Sequence, residues 1–87
     1  MKTVAPDIES QTKQTIENVQ AILTAAELQI DNVAKVSVFL RDMNDFKKMN
    51  QVYSSYFTVN PPARTTVQAQ LPMPDWLIEI DVIASSV

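Results

Sequence analysis

A helical stripe framed by two strand-like alternations limits the fold of this chain more than any other feature. In "VAKVSVFLRD", Val36, Val38 and Leu40 alternate with Lys35, Ser37 and Phe39, the two-residue period of a strand rich in β-branched residues. Phe46, Met49, Val52, Tyr53, Tyr56 and Phe57 then recur at helical spacing, and Thr65 to Gln70 returns to alternation. A helix joining two strands of one sheet is a crossover. Its strands are expected to be parallel and its hand right.

The flanking pattern extends this unit. Pro6-Asp7 reads as a helix start, with Asp7 as the cap and Asp7 and Glu9 opposing the positive end of the helix dipole. Thr12, Thr15, Ile16, Val19, Ile22, Leu23 and Ala26 form one stripe, so a helix is predicted from about Ile8 to Ala26. "AELQIDN" ends it. Asp42 or Asn44 caps the second helix, which stops near Phe57 because Asn60-Pro61-Pro62 cannot continue it. "LPMPDW" is a proline-pinned turn. "LIEIDVIA" is a third strand, with Ile78, Ile80, Val82 and Ala84 on one face and Leu77, Glu79, Asp81 and Ile83 on the other. The second and third strands are expected to pair as an antiparallel hairpin. The predicted fold is two-layer α+β in the order α-β-α-β-β, with both helices on one sheet face and one domain spanning residues 1–87. The other face mixes apolar residues with two carboxylates, as a subunit interface with a polar pocket would.

Composition narrows the function. At 87 residues the chain has a small core and a narrow stability margin, and with no cysteine it has no disulfide to widen it. Subunit association is the remaining help, and 46% apolar residues supply surface for it. No histidine and no cysteine, with carboxylates scattered over separate elements, argue against a metal site. A net charge of -3 and a single adjacent basic pair, Lys47-Lys48, argue against nucleic acid and acidic membranes as partners. No apolar run approaches membrane-spanning length, and "MKTVAPDIES" lacks the apolar stretch of a secretory signal, so a cytoplasmic setting is expected. With no glycine at all, any left-handed position must fall to another residue, and Glu27 or Leu28 stands where glycine would end the first helix most easily.

Arg64 and Glu79 are the candidate chemistry. Prolines stiffen the approach to Arg64 at the mouth of its strand, and a fixed guanidinium matches a carboxylate with two parallel hydrogen bonds. Glu79, expected on the neighbouring strand, can act as acid or base or position a water. Structural pairing of Arg64 with Glu79 or Asp81 is the plainer alternative. Asn50 reads equally as a helix-surface amide, Trp76 as a turn anchor, and Thr65 and Thr66 as residues chosen for β-propensity. A threonine nucleophile would need an adjacent base, and none is evident.

"DIESQTKQTIENVQAILTAAELQIDNVAKVSVFLRDMNDFKKMNQVYSSYF", "PARTTV", "LP" and "IEIDVIA", in that order, resemble the RidA (YjgF) family of imine/enamine deaminases from about Asp7 to Ala84. The resemblance implies a chorismate-mutase-like fold that forms trimers, with ligand sites between subunits. It implies hydrolysis of reactive 2-imino or enamine acids, such as 2-iminobutanoate and 2-iminopropanoate, to 2-oxo acids and ammonia, with no cofactor. By the same resemblance Arg64 holds the substrate carboxylate and Glu79 positions the attacking water. Asn50 and Tyr53 match a common pair of the second helix, and Thr66 stands in the site where the family often has cysteine. Two departures stand out: the family's N-terminal hairpin and "SGQ"-type loop have no counterpart here, and its glycine after the first helix is Glu27. The alternative reading is a non-catalytic member of the same family that binds small carboxylates, or another subunit, in a regulatory role.

Overall fold

The computed structural model describes residues 5–86; the ends of the expected domain, including the first four residues of the segment read against a secretory signal, lie outside them. Helix α1 runs over Ile8–Ala25, strand β1 over Val33–Leu40, helix α2 over Phe46–Tyr56, strand β2 over Ala63–Gln68 and strand β3 over Ile78–Ala84. This is the predicted order, and the architecture is α+β.

Local chemistry sets the helix ends. Asp7 caps α1 by accepting from the Ser10 N–H at 2.8 Å, which holds its carboxyl below the ordinary aspartate value of 3.8. At the other end the Leu28 N–H donates to Leu23 O and the Glu27 N–H to Thr24 O, a Schellman closure around Glu27 at φ 60°. A position that favours glycine is thus filled by glutamate. Asn60, at φ 46°, takes the second left-handed position, just before Pro61-Pro62. Asp42 accepts from the Asn44 N–H, capping a single 3-10 turn, Met43–Asp45, that leads into α2.

The sheet corrects one expectation. Its strand order is β2-β1-β3. β1 and β2 pair in parallel, as the crossover requires, with Val36 opposite Arg64 and Val38 opposite Thr66. β3 does not form a hairpin with β2. It runs antiparallel to β1 on the opposite side, with Phe39 opposite Glu79 and Leu40 opposite Ile78. The physical reason lies in the connection. Residues 69–77 pass over the end of β1, the Ala69 N–H donating to Leu40 O and the Arg41 N–H to Leu77 O. Such a span is too long for a tight hairpin turn and long enough to cross a strand.

Val36, Val38 and Leu40 of the central strand are fully buried, packed with Ile16, Leu23, Met49, Tyr53, Ile78 and Ile80. Both helices therefore lie on one face, where β1 alternation and both helical stripes meet. An irregularity between Val33 and Lys35 in the pairing with β3 lets Ala34 and Lys35 both stay exposed while Val33 and Val36 are buried. The other face carries half-buried Phe39 with exposed Thr65, Val67, Asp81 and Ile83.

Candidate functional site

Arg64 sits near the start of β2, and its side chain turns toward α2. Its Nη1 donates to Asn50 Oδ1 at 2.6 Å. Its guanidinium carbon lies 4.6 Å from the centre of the Tyr53 ring and 5.5 Å from that of Phe46. Face-on contact with an electron-rich ring stabilises a cation, and the neutral amide fixes the fork without cancelling its charge. Asn50 and Tyr53 present themselves three residues apart on α2, one turn of the same face. The "NPPAR" approach brings Pro61 and Pro62 to the same cavity as these two residues.

These residues line an open cavity of about 440 Å³ with Phe57, Pro61 and Pro62. Tyr53 is buried and stacks on Phe57, ring centres 4.4 Å apart. Burial raises its phenol above the ordinary value, and the Arg64 charge pulls the other way. The phenol is therefore a neutral donor at pH 7. Its hydroxyl has no hydrogen-bond partner among the described residues, and neither has the buried hydroxyl of Thr66, two positions beyond Arg64 on the same strand. Leaving such a group unpaired costs roughly 1–3 kcal/mol, which a polar ligand would offset.

Glu79 lies elsewhere. Ile78 and Ile80 point into the core, so alternation turns Glu79 to the opposite sheet face. β2 and β3 flank β1, so Arg64 and Glu79 are on different edges as well as different faces. The expectation that they sit on neighbouring strands is overturned by the sheet order. Within one chain the two do not form a shared pocket.

Arg41 and Gln11, which belong to no motif of the sequence, also make organised polar contacts. Arg41, just past β1, donates from Nε to Trp76 O at 2.7 Å and from Nη2 to Met73 O at 2.6 Å and Leu71 O at 3.2 Å. Gln11, 5% exposed on α1, donates to Asp75 O and accepts from the Leu77 N–H. The one signal for Gln11 was a polar residue beside the apolar stripe. For Arg41 it was an arginine ending a buried strand.

A small α+β domain with a ring-mounted guanidinium at the edge of its sheet is the class that these observations define. The family model described as Endoribonuclease L-PSP matches residues 1–86, and the chain belongs to this family, which includes the RidA/YjgF and RutC proteins. It is 51% identical to a RutC family protein of Pyrococcus horikoshii over 93% of this chain and 64% of that protein. It is 44% identical to the 2-iminobutanoate/2-iminopropanoate deaminase of Salmonella typhimurium over 93% of this chain and 66% of that one. Among solved structures it superposes on the YjgF gene product of E. coli with a TM-score of 0.92, at 38% identity, over 98% of this chain and 69% of that chain. The chain thus spans just under two thirds of the length of these curated relatives.

Proposed function

We propose that this chain serves the hydrolytic deamination of small 2-imino or enamine acids, such as 2-iminobutanoate and 2-iminopropanoate, to 2-oxo acids and ammonia, with no cofactor. One observation carries this reading: the Arg64 guanidinium, fixed by Asn50 and mounted on the Tyr53 ring, opens onto a cavity. The name of the Salmonella relative supports the substrate class. Arg64 grips the carboxylate, Asn50 holds Arg64 in place, and the unpartnered Tyr53 and Thr66 hydroxyls donate to the bound acid. Water adds to the C=N carbon, and a proton passes from the water to nitrogen. The hydroxyl of this carbinolamine gives its remaining proton to nitrogen as the C–N bond breaks, releasing ammonia and leaving the carbonyl. An enamine first takes a proton on carbon and gives one up from nitrogen to become the imine.

Glu79 accepts the water's proton and returns it to nitrogen. Because Glu79 and Arg64 of one chain stand apart, this reading requires Glu79 from a second copy. The working assembly is then a homo-oligomer, with a trimer favoured and the site between subunits. A net charge of -3 gives no support to nucleic acid as a partner, and among the described residues no helix is long and apolar enough to cross a membrane. A cytoplasmic location completes the reading.

Arg64→Ala is expected to lower ammonia release from 2-iminobutanoate by about 100-fold or more, since lost orientation alone accounts for that much. An Arg64→Ala variant with wild-type turnover rejects the proposal. The separation of Glu79 from Arg64 favours a second reading, a carboxylate-binding subunit without turnover. Calorimetry showing Arg64-dependent binding of 2-oxobutanoate, with no ammonia released, would select it.

A further inference from the structure

The connection over the end of β1 has no regular structure, yet its backbone is held at every second residue from Ala69 to Asp75 and again at Trp76 and Leu77. Leu71 is buried, but Pro72, Met73, Pro74 and Asp75 are exposed, so packing alone does not fix their path. Two side chains from distant parts of the chain do. The Arg41 guanidinium spans the carbonyls of Leu71, Met73 and Trp76, and the Arg41 N–H donates to Leu77 O. A full charge directed at three neutral carbonyl oxygens makes strong, charge-assisted bonds in a fixed planar fork.

Gln11 completes the grip from the helix side. Its Nε2 donates to Asp75 O at 2.9 Å and to Ala5 O at 2.6 Å, while its Oε1 accepts from the Leu77 N–H at 2.8 Å. One side-chain amide thus takes an oxygen and an N–H two residues apart, as a peptide of an adjacent strand would. It acts as a one-residue strand laid against the residues that lead into β3. A buried amide with its bonds satisfied is stiff, because breaking any of them strands a polar group.

Glu79 is the second residue of β3, two positions past Leu77. In a strand a slip of one residue would send Glu79 to the opposite face and bring Ile78 or Ile80 out of the core. We propose that Gln11 and Arg41 are positioning residues for Glu79: together they fix where β3 begins, and so where the Glu79 carboxylate stands. This inference rests on the role given to Glu79 above. Neither side chain needs to touch substrate.

The test compares Arg41→Met, Arg41→Lys, Gln11→Glu and Glu79→Gln in the 87-residue chain, with ammonia release and amide hydrogen exchange as readouts. Arg41→Met removes every side-chain donor, and Arg41→Lys restores the charge with a single ammonium. Gln11→Glu keeps the acceptor for Leu77 but turns a carboxylate on Asp75 O. For Arg41→Met and Gln11→Glu, kcat is expected to fall about 10-fold or more with KM within about twofold, because the Arg64 grip is untouched. Arg41→Lys should recover part of the loss. Exchange at residues 77–80 should quicken about 10-fold or more, while the seam between β1 and β2 keeps its protection.

Wild-type kcat in Arg41→Met and Gln11→Glu, with Glu79→Gln inactive, overturns this inference alone. Wild-type kcat in Glu79→Gln overturns the role of Glu79 and the inference with it. A parent chain without turnover rejects the deaminase reading. Exchange then decides whether the grip sets β3, and unaltered exchange at 77–80 in Arg41→Met sinks it. A general loss of fold would appear instead as quickened exchange along the β1–β2 seam and would count against a positioning role.

Discussion

Arg41 and Arg64 carry the same charge and are held in opposite ways. Arg41 directs its donors to three carbonyl oxygens and has little left to offer. Arg64 gives one hydrogen bond to a neutral amide and rests on aromatic rings, which leaves its charge and most of its fork for a ligand. The neutrality of Asn50 is therefore as important as its reach. Asn50→Asp would set a competing carboxylate on the guanidinium and is expected to weaken 2-oxobutanoate binding about 10-fold or more, read by calorimetry, with an unchanged circular dichroism spectrum. Glu27 poses a different residue-scale question. Holding a side chain with a Cβ at φ 60° costs on the order of 1 kcal/mol. Glu27→Gly should return about that amount and raise Tm by about 4–8 °C in a chain of this size. The need for a left-handed residue was legible from a helix that ends with no glycine in the sequence. The freedom of Arg64 was legible only in part: the prolines announced a fixed strand mouth, but nothing in the spacing paired it with Asn50.

At the scale of elements, α1 is the part that the sequence described best, because caps and stripes are local. Asp7 and the stop at Ala26 lie where they were expected, and Thr12, Ile16, Val19 and Leu23 turn inward, but Ile22 and Ala26 of the same expected stripe are exposed, Ile22 at 70%. The pH response of this element has a definite sign. Asp7 is held below its ordinary value of 3.8 in the folded chain, first by its bond from the Ser10 N–H. Its stabilisation is therefore present above that value and is lost as pH falls through the lower folded one. Acid titration of far-UV helicity should show a loss below about pH 3.8 that Asp7→Asn removes, since asparagine still accepts the bond but does not titrate there. The partner of β3 was not legible. Neighbours in sequence are the default partners of strands, and "LPMPDW" has the residues of a turn. What decides against the hairpin is the grip of Arg41 and Gln11 on the connecting segment, a contact between residues more than thirty positions apart on one side and more than sixty on the other. Local pattern carries no trace of such contacts.

For the whole molecule, three strands present one face to the helices and leave the other with half-buried Phe39 and exposed Val67 and Ile83, the last at 64%. Both outer strands have one side unpaired by any described strand, and an open groove of about 700 Å³ runs between α1 and β3. Surface of this kind favours association. Light scattering at micromolar concentration is expected to give a mass well above the 9.8 kDa of one chain, with Tm rising with concentration. A well-folded monomer would count against both the association and the shared site. The two helices and the parallel pair were legible because periodicity fixes them, whereas Glu79 was misplaced because its position depends on the order of strands across the sheet. One consequence concerns measurement. Trp76 is the sole indole in the chain, and it lies half-buried in the segment whose carbonyls Arg41 holds. Its emission spectrum is thus a built-in optical gauge of that one segment, able to register a loosened strap even while the rest of the protein stays silent.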